Sequence, residues 1–184
     1  TGRLLKPSGD AEPGEVAAAF REQARALVDS GPDIIAVETM TDLAEALLAV
    51  RAVREVSDDV VLVATLTFEK KTRGFFTVMG NTIQEAAAEL AAAGADVVGS
   101  NCGNGIENMV EIAREFRATT GMPLAFRPNA GMPQIVGGRI LYPETPEFMA
   151  VRLPALLEQR PAIIGGCCGT TADHIRAFRK VLSV

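Results

Sequence analysis

The sequence predicts an α/β protein built on one parallel sheet. Short apolar runs of strand length alternate along the 184 residues with longer segments whose apolar positions recur at helical spacing. The composition is 48% hydrophobic, and Ala, Val, Leu and Ile supply most of it, which suits helices packed on a sheet. Strands that are separated by helices pair in parallel through right-handed crossovers.

The first half of the chain contains three helices and two strands by these criteria. The apolar run at 34–37 is continuous, which is typical of a strand buried on both faces. Thr82 opens the segment TIQE, in which a hydroxyl and a carboxyl group cap opposite backbone groups at a helix start. In order, the spacing predicts a helix over 15–28, a strand over 34–37 followed by Glu38, a helix over 42–56, a strand over 60–65 and a helix from Thr82 to Gly94.

The second half repeats the alternation and brings the total to five strands. The segments FEKKTRGFF at 68–76 and NAGMPQIVGGRILYPETPE at 129–147 are expected to be a solvated turn and one long loop. No linker divides the chain, so residues 1–184 are expected to form a single domain. The predicted elements are a strand over 96–99, a helix over 106–119, a strand over 124–127, a helix over 146–157, a strand over 162–165 and a helix over 172–182.

Charge and hydropathy exclude two classes of partner. The net charge is −5 and the 18 Lys and Arg residues are scattered, so the chain lacks the basic patch that binds nucleic acid. No apolar run approaches the roughly 20 residues of a membrane helix, and the opening TGRLLKPSGD lacks the apolar stretch of a signal peptide. We therefore expect a cytoplasmic protein without a membrane partner.

All three cysteines follow predicted strands. Cys102 comes after DVVGSN, whereas Cys167 and Cys168 come after AIIGG. Ligands of α/β proteins bind beyond the carboxyl ends of parallel strands, so thiols that are distant in sequence can meet on one rim. Three thiolates suit Zn²⁺, and a fourth, open position distinguishes catalytic zinc. A substrate thiol held there would be a thiolate at neutral pH, which indicates alkyl transfer to sulfur.

Other interpretations of the cysteines remain open on this pattern. A free cysteine is often a small buried hydrophobe. A redox pair at Cys167 and Cys168 is disfavoured, because adjacent cysteines form only a strained ring and redox sites use C-x-x-C spacing. The flanking glycines favour a ligand site, since they let the backbone approach a bound group. His174, in the first turn of the last helix, is expected to be a surface residue.

Four segments together resemble the homocysteine S-methyltransferase family: GSNCGNG at 99–105, GGCCGTT at 165–171, PNAG at 128–131 and ETMTDLAEA at 38–46. The resemblance implies a (β/α)8 barrel with a zinc site whose ligands are Cys102, Cys167 and Cys168. It also implies that Glu38 holds the ammonium group of the substrate. Asn101 and Asn129 are candidates to orient ligands or to bind substrate through their amides, although asparagine in a turn commonly serves backbone geometry.

The chain departs from that family at its beginning. Family members have three βα units before a GPTG-like turn, and the opening TGRLLKPSGD resembles the residues that follow the third strand. We therefore expect 1–184 to be the C-terminal portion of a TIM-type barrel, from the helix after strand three to the last helix. Such a portion has two open sheet edges, which invite pairing with a second chain or self-association.

The function indicated by the resemblance is zinc-dependent methyl transfer to a thiol, with homocysteine as acceptor and methionine as product. The methyl donor is not identified by the sequence, and a methylated corrinoid protein is one possibility that the family offers. A second hypothesis is a non-catalytic accessory subunit that binds zinc or thiols and needs a partner to complete the barrel. A third is a structural domain with inert thiols.

Overall fold

A computed structural model describes residues 1–183, and it contains a five-stranded parallel sheet, six helices and two short hairpins. The helices are α1 Pro13–Asp29, α2 Leu43–Val56, α3 Ile83–Ala92, α4 Ile106–Thr119, α5 Pro146–Leu157 and α6 Ala172–Leu182. The strands are β1 Ile34–Met40, β2 Val61–Leu66, β3 Glu69–Lys71, β4 Gly74–Phe76, β5 Val97–Asn101, β6 Leu124–Arg127, β7 Gln134–Val136, β8 Arg139–Leu141 and β9 Ile163–Ile164.

The main sheet keeps its strands in the order in which they occur along the chain. That order is β1, β2, β5, β6 and β9, and every neighbouring pair is parallel. A doubly wound sheet reverses its strand order at a switch point, whereas the wall of a (β/α)8 barrel does not. The predicted α/β class and the five parallel strands are confirmed.

Local sequence rules place most element boundaries. Helices α4, α5 and α6 and strand β6 begin and end where the apolar spacing predicts. The Thr82 hydroxyl accepts a hydrogen bond from the Glu85 amide, and the Glu85 carboxylate accepts one from the Thr82 amide, so the predicted capping box is present.

The two faces of the sheet are packed unequally. The face under the helices carries the larger core, in which Phe116 makes edge-to-face contacts with Phe68 and Phe126. The opposite face carries a smaller cluster of Val63, Val97 and Ala125. Polar side chains can therefore occupy this second face at the carboxyl end of the sheet.

Segments 68–76 and 129–147, which we expected to be a solvated turn and one long loop, each contain a β-hairpin, and the expectation of one long loop was wrong. β3 pairs with β4, and β7 pairs with β8, in both cases antiparallel. Gly137 and Gly138 have φ values of 57° and 75°, and two consecutive positive φ angles are what a tight two-residue hairpin turn requires. The signal was present in the sequence as two glycines between the apolar runs QIV and RIL.

The outer strands of the sheet have open edges. Over the described residues, β1 pairs only with β2, and β9 pairs only with β6. Ile34, at the start of β1, is 50% exposed. Within 1–183, no helix combines the length and apolar character needed to cross a membrane.

Candidate metal centre

The three cysteines meet at the carboxyl end of the sheet. Their Sγ atoms all lie within 4.8 Å of one another, and the Sγ atoms of Cys102 and Cys168 are 3.7 Å apart. Two sulfur ligands of a tetrahedral zinc ion, each bonded at about 2.3 Å, are separated by about 3.8 Å. The spacing of these side chains therefore fits a single zinc ion.

Cys102 is placed by an unusual backbone conformation directly after β5. Its φ of 63° lies in the left-handed region, which non-glycine residues adopt mainly where the surrounding structure fixes them. The Cys102 amide donates to the Arg127 carbonyl at 3.1 Å. This bond continues the pairing of β5 with β6 up to the first of the three cysteines.

The second loop, Cys167 and Cys168, is bonded to the segment that follows β6. The Cys167 amide donates to the Pro128 carbonyl at 2.9 Å, and the Cys168 carbonyl accepts from the Ala130 amide at 2.9 Å. The Cys168 amide donates to Oδ1 of Asn129 at 3.1 Å. The PNAG motif thus holds the double-cysteine motif in position.

The electrostatics of the cluster favour a bound cation. The pKa of Cys102 is raised to about 11, mainly by burial and also by the charge of Cys167 and the hydrogen bonds with Cys168 and Cys167, although a hydrogen bond from the Gly103 amide opposes the shift. Three thiolates this close repel one another unless a cation compensates their charge. The donor set therefore suits a thiophilic divalent ion such as Zn²⁺.

Asn101 forms hydrogen bonds that connect the cysteine cluster to the ends of β1 and β2. It is 1% exposed, and its Oδ1 accepts from the Thr39 amide at 2.8 Å and from the Thr65 hydroxyl at 2.7 Å. Its Nδ2 donates to Oγ1 of Thr39 at 2.7 Å and lies 3.7 Å from Sγ of Cys167. The two accepted bonds fix the orientation of the amide, so its N–H groups face the sulfur.

Both predicted asparagines contact the cysteine loops. Asn129 is buried and accepts a hydrogen bond from the Cys168 amide, whereas Nδ2 of Asn101 contacts Sγ of Cys167. Each therefore lies where it can orient a metal ligand, which is one of the two roles expected for it.

Glu38 lies on β1, which β2 separates from β5 in the sheet. Its carboxylate forms an ion pair with Nη1 of Arg127, and its side chain is 46% exposed. Sequence reasoning missed Arg127, because nothing local to β6 indicates that its side chain meets Glu38. The predicted ammonium-binding carboxylate thus already has a cationic partner from the protein itself.

Tyr142 is a second residue that sequence reasoning missed. Its ring packs on Gly169, where φ is 79° and a Cβ atom would lie 2.1 Å from Cγ of Tyr142. Burial, followed by the negative charge of Cys168, raises the pKa of the Tyr142 hydroxyl. As the chain's single Tyr, within a segment that follows a strand end, it was detectable as a candidate.

His174 corrects an expectation, because it is buried and not on the surface. Its Nδ1 accepts from the Thr171 amide at 3.1 Å, and its Nε2 lies 2.9 Å from the Glu144 carbonyl. Since Nδ1 accepts, Nε2 carries the proton and donates to that carbonyl. The residue joins the start of α6 to the loop before α5 and is not a candidate metal ligand.

Comparisons of the sequence with known proteins support one family. The homocysteine S-methyltransferase family model matches residues 1–182. Methionine synthases of Mycobacterium leprae and Mycobacterium tuberculosis are each 33% identical to this chain over 180 residues. That alignment covers 95% of this chain and 15% of each relative, so the chain spans a small part of their length.

Solved structures show the same fold. The homocysteine methyltransferase MmuM of Escherichia coli matches in its apo form with a TM-score of 0.73 and 22% identity, over 94% of this chain and 58% of that chain. Its metallated form matches with a TM-score of 0.74 and 23% identity, over 93% and 52%. The five-stranded sheet is thus part of the barrel that these enzymes share.

Proposed function

Because the chain belongs to the homocysteine S-methyltransferase family, we propose that it carries the thiol-activating site of a zinc-dependent enzyme that methylates homocysteine to methionine. The convergence of Cys102, Cys167 and Cys168 within 4.8 Å is the observation on which this proposal depends. The names of the mycobacterial relatives, methionine synthase, support the choice of acceptor and product.

The three cysteines are the proposed zinc ligands. When bound there with one open position, Zn²⁺ lowers the pKa of a substrate thiol enough to deprotonate it at neutral pH. The Gly103 amide and the Asn101 amide donate toward the sulfur atoms of Cys102 and Cys167. Donors of this kind favour the deprotonated ligands and hold them in position.

Methyl transfer then requires only positioning of the acceptor. A lone pair of the substrate sulfur forms the new bond to the methyl carbon, and the bond from that carbon to the donor breaks with its electrons left on the donor. The thiol proton goes to solvent. Glu38 binds the substrate ammonium group in this proposal, and a methylated corrinoid protein is the first donor to test.

The open edges of β1 and β9 indicate a further partner. Exposed backbone donors and acceptors beside the half-exposed Ile34 are available for pairing. We expect a second copy of the chain or another polypeptide segment to cover them. Substrate binding near Glu38 would then include residues from that partner.

Zinc content tests the metal site directly. Freshly purified, reduced protein is expected to hold close to one zinc per chain by elemental analysis, and Cys102→Ser, Cys167→Ser or Cys168→Ser should each abolish it. Val136→Ser, on the exposed β7–β8 hairpin, is the matched control and should retain zinc. Absence of zinc after anaerobic reconstitution would contradict the proposed site.

Turnover separates the enzyme from an accessory subunit. Production of methionine from homocysteine is measured with a methylated corrinoid protein, methylcobalamin, betaine and S-methylmethionine as donors. Activity with one of them, lost in the cysteine variants, is the expected result. A chain that holds one zinc but transfers no methyl group would instead be the non-catalytic binding subunit.

A further inference from the structure

Arg127 presents more hydrogen-bond donors than the described residues use. It is the last residue of β6 and the register partner of Asn101 on β5, with a side chain only 22% exposed. Nη1 pairs with Glu38, and Nη2 lies 3.5 Å from the Thr65 hydroxyl, at the limit of a hydrogen bond. Nε is buried and finds no acceptor within 1–183.

The guanidinium lies on the same rim as the sulfur atoms. The Thr65 hydroxyl, which Arg127 contacts, donates to Asn101, and Asn101 donates to Sγ of Cys167. Two hydrogen bonds therefore link Thr65 to the cysteine cluster. A Cβ atom at Gly165 would lie 3.1 and 3.2 Å from Cγ and Cδ of Arg127. The glycine therefore leaves the space that the stem of the arginine occupies.

The chemistry of this arrangement suits a carboxylate ligand. A guanidinium offers a planar fork of donors that matches the two oxygens of a carboxylate. The carboxylate that it now contacts, Glu38, is 46% exposed and can exchange partners with a ligand. A ligand with both a carboxylate and an ammonium group would leave neither protein charge unpaired, because the two could bind Arg127 and Glu38 respectively.

We infer that Arg127 binds the carboxylate of the substrate and restricts the enzyme to thiols that bear one, with the class of α-amino acid thiols fitting best. The inference rests on the proposed function for the identity of the thiol acceptor. It adds a specificity-determining residue that pairs with Glu38 and is supplied by a different strand.

A metal-independent experiment tests the anion site. The thiols of the reduced, metal-free chain are alkylated with iodoacetate and with iodoacetamide, and each rate is divided by the rate on free 2-mercaptoethanol. These reagents have similar size and differ in charge. The ratio of the normalised iodoacetate rate to the normalised iodoacetamide rate measures the preference for a carboxylate. If Arg127 binds a carboxylate, this ratio exceeds one and falls by about tenfold in Arg127→Gln, which is the loss expected for one charge-assisted hydrogen bond.

Three further variants separate substrate binding from a structural ion pair. Glu38→Gln frees the guanidinium and should raise the iodoacetate preference, whereas loss of a merely structural pair would leave it unchanged or lower it. Arg127→Lys keeps the charge without the fork and should give an intermediate ratio. Arg25→Gln makes the same charge change on the exposed face of α1 and should behave as the unmodified chain.

Equal ratios in the unmodified chain and Arg127→Gln would overturn the inference, as would a Glu38→Gln ratio that does not rise. If circular dichroism shows that Arg127→Gln is unfolded, Arg127→Lys and Glu38→Gln decide the matter in the same way. The alkylation experiment uses no metal and no methyl donor, so its outcome does not depend on zinc binding or turnover. If the zinc or turnover assay fails but the iodoacetate preference still depends on Arg127, the proposed function is refuted and the anion site is not.

Discussion

The rim formed after β5, β6 and β9 differs from the edge formed by β1. At the rim, the amides of all three cysteines donate to partners from neighbouring strand ends, and Asn101 satisfies its amide with four contacts. On β1, Glu38 and Ile34 are about half exposed, and one side of the strand has no partner within the described residues. The three cysteines proposed to bind zinc are therefore held by bonds within the described residues, whereas Glu38, which is proposed to bind the substrate, lies on a strand with an open edge.

The reason for the difference is the number of neighbours. β5 is flanked by β2 and β6, and all five of its residues are buried. Its position fixes Asn101 and Cys102 by packing as well as by hydrogen bonding. β1 has one neighbouring strand within the described residues. A further partner on its other edge would be needed to fix its side chains as firmly as those of β5.

The largest effect is expected from breaking the rim at its most connected residue. Asn101→Leu would leave the Thr39 amide and the buried Thr65 hydroxyl without their acceptor, and the buried hydroxyl alone costs about 1–3 kcal/mol. We expect the free energy of unfolding to fall by about 1–3 kcal/mol and zinc affinity to fall by about 10–100-fold. Urea denaturation and a competitive zinc titration measure the two losses.

Asn108→Leu is the matched control for that change. Asn108 is half-buried on α4 and donates a single side-chain bond to Asn104, so its loss should be much smaller. Equal losses in the two variants would show that the Asn101 contacts do not hold the rim.

A change at the open edge should alter association and leave zinc binding unaffected. We expect the chain to exceed its 19.4 kDa monomer mass in solution at micromolar concentrations, and Ile34→Lys should shift it toward the monomer, because lysine on an edge strand blocks pairing. Val151→Lys on α5, which is also exposed, should leave the mass unchanged. Light scattering that finds only monomer at all concentrations would contradict a paired edge.

The smallest effect concerns the loop that supports the rim. Burial raises the pKa of Glu144, although the hydrogen bond from the Ile106 amide opposes the shift. The folded state then binds more protons than the unfolded state just above the ordinary pKa of 4.5, so the free energy of unfolding falls as pH rises through the folded pKa. Glu144→Gln keeps the acceptor for Ile106 and should remove this part of the pH dependence, as measured by urea denaturation between pH 4 and pH 7.

An unchanged pH profile in Glu144→Gln would show that this carboxyl does not titrate differently in the folded protein. Glu147→Gln is the control, because that residue lies in the exposed first turn of α5. Its profile should match that of the unmodified chain.

Local rules in the sequence were sufficient for the fold class and for the location of the cysteines. Apolar spacing gave the limits of α4, α5 and α6, because a helix face repeats within a few residues. The carboxyl ends of parallel strands lie on one rim, so three thiols that follow strands could be expected to meet. The paired glycines also indicate the β7–β8 hairpin, although we predicted a loop there.

The tertiary structure alone decided the contacts between distant side chains. Asn101 meets Thr39 across 62 residues of sequence, Arg127 meets Glu38, and His174 is buried against the Glu144 carbonyl. These contacts depend on strand register and on the direction of each side chain. A shift of one residue in a strand would turn every side chain to the opposite face, so a local pattern carries too little information to fix them.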